Sequence, residues 1–125
     1  MNEFEPMKPI GTYSPFIRAG DTIYISGQIA LDSDRGVLIS ESVKEQVEQT
    51  FKNLKSVVEA AGAMLRHVVK ITIHVTDLTC YDEVNDVMQQ YFTAPFPARA
   101  LVEVSRLPKD ALIEMDAIVV LTESK

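Results

Sequence analysis

The sequence predicts an α+β domain, a mixed β-sheet of about six strands with two helices packed on one face. Two stripes of apolar residues recur at helical spacing, and four runs alternate or are β-branched in the manner of strands. Their order along the chain, strands, helix, strand, helix, strand, strand, is that of one sheet layered with helices.

Gly20-Asp21 is a turn signal, and Thr22 to Ile29 alternates behind a short extended segment, so it reads as a strand; Asp32 to Gly36 then forms a loop. Val43, Val47, Phe51, Leu54, Val57, Val58 and Ala61 mark a helix of five turns, with Ser42 and Glu45 as a capping box and Gly62 as its stop. Its other face carries opposite charges four apart, such as Glu48 and Lys52, and reads as solvated. Val68 to Val75 is a strand. Thr79 with Asp82 can cap a second helix, whose stripe is Tyr81, Val84, Val87, Met88, Tyr91 and Phe92 and which must end before Pro95 and Pro97.

The last two strands carry charges that a buried strand should lack. Alternation sorts Ala98, Ala100, Val102 and Val104 to one face and Arg99, Leu101 and Glu103 to the other. It likewise sets Ile113, Met115, Ala117, Val119 and Leu121 against Leu112, Glu114, Asp116, Ile118 and Val120. If Ser105 to Asp110 closes an antiparallel hairpin, Arg99 and Glu114 fall within about two residues of being opposite. They would then meet on a half-apolar surface, as a structural ion pair or as a ligand site. Breaking such a pair, once buried, costs about 3–5 kcal/mol. The face carrying Leu101, Ile118 and Val120 is left uncovered by the chain's own helices, so it is expected to bury itself against other copies.

A chain of 125 residues, 46% hydrophobic and 24% charged, fits one domain over residues 1–125. Eighteen acidic against twelve basic residues give a net charge of -6, with no basic stripe, which disfavours nucleic-acid binding. An anionic ligand would need a local cation, and Arg99 is the candidate. The start of the chain, with Glu3 and Glu5, lacks the features of a signal peptide, and no apolar run is long enough for a membrane span, so a cytoplasmic location is the default. A single cysteine, Cys80, excludes a disulfide framework; beside a helix start it could have a lowered thiol pKa. His67 and His74 have no third ligand at metal spacing, so no metal is expected. Glu103 and Asp116 read as partners of basic groups.

Pro97-Ala98-Arg99, Val102-Glu103-Val104, Arg106-Leu107-Pro108-Lys109-Asp110 and Ile113-Glu114-Met115 together resemble the signature of the YjgF/RidA family of small trimeric enamine/imine deaminases. Gly11-Thr12-Tyr13-Ser14, Ile25-Ser26-Gly27-Gln28-Ile29, Val68-Val69-Lys70 and Thr76-Asp77-Leu78 fit the same family. The resemblance implies a chorismate-mutase-like fold, a homotrimer with sites in the clefts between subunits, and hydrolysis of 2-enamino or 2-imino acids to 2-keto acids and ammonia without a cofactor. By the same resemblance Arg99 binds the substrate carboxylate, Glu114 handles the proton of the attacking water, Tyr13 helps close the pocket, and Ser26 and Gly27 contact substrate. Asn85 matches a common family asparagine. Leu101 stands where many members have cysteine, which makes the wall more apolar, while Thr12 and Pro15 depart from the usual residues around Tyr13. The competing functions are a ligand-sensing or partner-binding module using the same cleft without turnover, and an RNA-directed activity, which the charge disfavours.

Overall fold

The computed structural model describes residues 11–122, so Glu3 and Glu5 lie outside the described residues. It runs β1 (Phe16–Ala19), β2 (Thr22–Gln28), α1 (Val43–Ala60), β3 (Val68–Val75), α2 (Tyr81–Tyr91), β4 (Ala98–Glu103) and β5 (Ile113–Val120). Among the described residues the sheet has five strands, in the order β1-β2-β5-β3-β4, rather than about six.

Helix α1 begins where Ser42 accepts the Glu45 N–H at 3.3 Å. The box is one-sided, because the Ser42 N–H goes to the Ser40 hydroxyl instead. Gly62, at φ +86°, supplies the left-handed residue that ends the helix. Helix α2 is not capped by Thr79. The Asp77 carboxylate accepts the Thr79 N–H at 2.9 Å and opens a short 3₁₀ turn, Leu78–Cys80, which feeds the helix at Tyr81.

Both helices bury their stripes against the same sheet face. Val47, Phe51, Leu54, Val57 and Val58 of α1, with Val84, Val87 and Met88 of α2, pack in one cluster with Ile23, Ile25, Ile71, Ile73, Ile113, Met115 and Val119. Gln46, buried in this layer, accepts the Leu112 N–H and donates to the Ser40 carbonyl, so its polar atoms are satisfied where α1 meets the start of β5. Asn53 donates to the carbonyls of Ile29 and Leu31 and ties the loop after β2 to α1.

The last two strands are not a hairpin. β4 pairs with β3 in parallel, and β5 lies antiparallel between β2 and β3. Helix α2 carries the chain back to the start of β3, so the strand that follows it pairs in parallel. β5 alternates fully buried residues with half-buried ones and takes a central place, whereas β4, with Arg99 and Glu103, takes the edge, where charge is tolerated.

This order reassigns the faces. Arg99 is level with Ile71 and Ala117, and Leu101 with Ile73 and Met115, so both point to the helix side. Glu114 is level with His74 and Val102 on the opposite, outer face. The expectation that Leu101 belongs to the uncovered face is therefore corrected: it packs against the core. The outer face instead carries Ile17, Tyr24, Ile118, Val120 and Val102, several of them more than 40% exposed. Among the described residues no helix is long and apolar enough to cross a membrane.

Candidate active site

Arg99 sits at the helix-side edge of the sheet, half-buried. Its Nη1 donates to the Asn85 Oδ1 at 2.7 Å and lies 3.7 Å from the Met88 sulfur, and its guanidinium carbon stands 5.5 Å from the centre of the Tyr81 ring. All three partners are neutral. Among the described residues no carboxylate lies within ion-pair distance of it, so these contacts orient the guanidinium without cancelling its charge. It opens on a cleft of about 300 Å³ lined by Asn85, Met88, Gln89, Phe96, Pro97 and Arg99. A larger cleft, about 450 Å³, lies between the ends of the helices and includes Lys55, Glu59, Tyr91 and Pro95, but it holds none of the candidate residues. The oriented cation makes the smaller cleft the candidate site.

Glu114 lies on the other side of the sheet. A Cβ at Gly27 would come within 2.9 Å of its carboxyl carbon and Oε2, so the absence of a side chain at Gly27 is what lets the carboxylate lie there. Gly27 falls in an irregularity of the β2–β5 pairing, where Ser26 and Gly27 together oppose Asp116. Gly27→Ala is expected to cost about 1–3 kcal/mol through overpacking, read as a lower urea midpoint. Because the atoms met are the end of one side chain, the double variant Gly27→Ala with Glu114→Ala should recover most of that loss; no recovery would locate the crowding elsewhere.

Ser26 donates its hydroxyl to the Ser14 carbonyl, and its N–H to the Pro15 carbonyl at 3.0 Å. It thereby pins to β2 the segment that carries the exposed Tyr13. Asp116, on the outer face two residues from Glu114, has its carboxyl pushed up by burial, which outweighs the attraction of His74 and Lys70. A folded-state pKa above the unfolded value means that the native state loses stability as pH rises through the shifted range. Asp116→Asn is accordingly expected to raise the melting temperature at pH 7, with the gain shrinking as pH falls and gone near pH 4. A gain that grows toward low pH would contradict this.

Within one chain, then, the structure gathers Arg99, Leu101 and Asn85 on the helix side and Gly27 and Glu114 on the outer side. It does not bring Arg99 and Glu114 together. Tyr81, read as a core residue from its place in the helical stripe, is about half exposed and covers Arg99. It is the first residue of α2 and lies over the edge strand β4 rather than over the centre of the sheet, so its ring meets Arg99 instead of the core. Tyr91 stacks on Phe51 and Phe92 is buried, as core residues do. Glu103 accepts the Leu78 N–H at 3.0 Å and so caps a turn, and the His67 imidazole accepts the Met64 N–H. Burial pushes the Cys80 thiol up, so a place beside a helix start does not lower it, and Cys80 is a buried residue of the turn before α2. Among the described residues no three His, Cys, Asp or Glu side chains are grouped to hold a metal ion.

A five-stranded mixed sheet with two helices on one face, an edge-strand arginine and a carboxylate against a glycine define an α+β protein with a candidate anion-binding edge and a carboxylate on the opposite sheet face. The family model described as endoribonuclease L-PSP matches residues 4–121, and the chain belongs to that family, YjgF/RidA. It is 47% identical over 111 residues to a RutC family protein of Pyrococcus abyssi, covering 89% of this chain and 87% of that one. It is 41% identical over 111 residues to the human 2-iminobutanoate/2-iminopropanoate deaminase, covering 89% and 81%. Among solved structures, RidA from a Psychrobacter species superposes with a TM-score of 0.89 at 39% identity, covering 95% of this chain and 96% of that one.

Proposed function

We propose that this protein hydrolyses reactive 2-imino and 2-enamino acids to 2-keto acids and ammonia, in a site completed by two copies of the chain. The observation that carries this reading is Arg99, a guanidinium oriented by Asn85 and Tyr81 with no carboxylate beside it among the described residues. A small 2-imino carboxylate supplies the missing anion, and the guanidinium fork can hold it bidentately. The imine carbon then needs a water and a group to accept its proton, a role suited to the half-buried Glu114 carboxylate. No step of this hydrolysis requires redox chemistry.

Arg99 and Glu114 lie on opposite sheet faces of one chain, so the two roles combine only if the helix-side edge of one copy, with Arg99, Asn85 and Leu101, meets the outer face of another, with Glu114 and Gly27; Ser26 and Tyr13 would then line the approach to Glu114. The exposed Ile17, Tyr24 and Val102 on that outer face suit such an assembly. A closed ring makes every copy serve in both capacities, and the resemblance to the YjgF/RidA family supports three as the number, with a solution mass three times the 13.9 kDa chain. A cytoplasmic setting, where amino-acid metabolism generates such imines, goes with this function. The net charge of -6 weighs against RNA as the substrate.

The test generates 2-iminopropanoate in situ with an amino-acid oxidase and follows loss of the imine. The expected result is an acceleration proportional to added protein. Binding of a 2-keto acid with no acceleration would assign the cleft to sensing instead.

A further inference from the structure

The Glu114 carboxylate is confined from two sides. Its Oε2 occupies the room left by the missing side chain of Gly27, and its Oε1 lies 3.5 Å from Nδ1 of His74, its register partner on β3. Both side chains are partly buried, at 29% and 23% exposure, so neither is free to swing through bulk water. Among the described residues no other side chain is hydrogen-bonded or ion-paired to Glu114. On its own strand Thr72 and Lys70 follow along the same face; on β5 Asp116 lies beside Thr72 and feels the charge of both His74 and Lys70; on β4 the partners are Val102 and Ala100; and across from Glu114, β2 presents Gly27.

From this geometry we infer that His74 is a positioning residue for Glu114: its Nδ1–H donates to Oε1, fixing the carboxylate so that Oε2 is the oxygen left to accept a proton from water beside Gly27. The inference rests on the hydrolytic reading above. The 3.5 Å separation is longer than a settled hydrogen bond; hydrogen bonds to catalytic groups are often long in the free enzyme and tighten in the substrate complex, and His74 is assigned its role in that complex. A carboxylate that has lost its orienting donor samples other rotamers, and misplacement of a reacting group by about 1 Å can cost up to 10² in rate. Placement of the base should therefore affect turnover rather than substrate capture, which belongs to Arg99.

The experiment compares wild type, His74→Phe and His74→Asn by imine-hydrolysis kinetics and by ¹³C NMR of the Glu114 carboxyl, assigned by its loss in Glu114→Gln. Phe keeps a ring but has no donor; the Asn amide places an N–H close to the position of Nδ1–H. His74→Phe is expected to lower kcat on the order of tenfold with KM within about twofold, and to move the Glu114 carboxyl resonance. His74→Asn should restore most of both. An unchanged kcat and resonance in His74→Phe would overturn the inference, as would equal defects in both variants with the resonance unmoved. If wild type hydrolyses no imine, the proposed function fails on its own account, and the carboxyl resonance still decides whether His74 holds Glu114.

Discussion

Arg99→Ala is expected to lower kcat/KM for 2-iminopropanoate hydrolysis by about 10² to 10⁴. A hydrogen bond to a charged group contributes about 1.5–3 kcal/mol, and a guanidinium fork makes two of them to one carboxylate; at about 1.4 kcal/mol per decade the loss spans that range. Most of it should appear in KM, since the contact forms on binding and persists to the transition state. The fold should tolerate the change, because Arg99 lies at a sheet edge and has neutral partners, so its removal strands no buried charge. Arg99→Lys separates charge from geometry: it keeps the cation but loses the planar fork, and a defect much closer to alanine than to wild type would show that shape decides. Full activity in Arg99→Ala would remove the carboxylate-binding role altogether.

Glu114→Gln is expected to leave KM nearly unchanged and to lower kcat by about 10² to 10⁴, the usual contribution of a positioned acid–base group. The substitution keeps the side chain's size, so the fit against Gly27 is preserved while the proton acceptor is lost. Affinity for the 2-keto acid product should survive, because that contact depends on Arg99. An equal loss in KM and kcat would mean that Glu114 binds substrate rather than activating water. On the proposed function Arg99 serves capture and Glu114 turnover, so the two variants are predicted to have opposite kinetic signatures.

These residues were legible in the sequence to different degrees. The long helix was readable because its stripe holds over five turns and Ser42 caps it, and β3 was readable because six of its eight residues are β-branched. The positions of Arg99 and Glu114 were visible as charges in strands, but their faces were not. Alternation along a strand fixes which residues share a side, not which side faces the helices, and strand order fixes that. Ser105 to Asp110 has the length of a hairpin loop, yet it carries the chain past β3, so β5 enters between β2 and β3. Lys109 and Asp110, both at φ 57°, make that turn without glycine, and so the sequence offers little warning of it. Tyr81 and His74 were missed as functional neighbours for a related reason: each acts on a residue distant in sequence, and only the packing of α2 over the edge strand and the pairing of β3 with β5 bring them there.

The central claim is that one site takes its arginine from one copy and its glutamate from another, and mixing the two inactive variants tests it most directly. Arg99→Ala and Glu114→Gln chains, each nearly inactive alone, would be unfolded together, refolded as mixed oligomers and assayed for 2-iminopropanoate hydrolysis. In a cyclic assembly, random mixing gives about a quarter of the interfaces both an intact Arg99 and an intact Glu114, so activity should rise to about a quarter of wild type. Mixed oligomers no more active than the parent variants would mean that no site takes its Arg99 and its Glu114 from different copies.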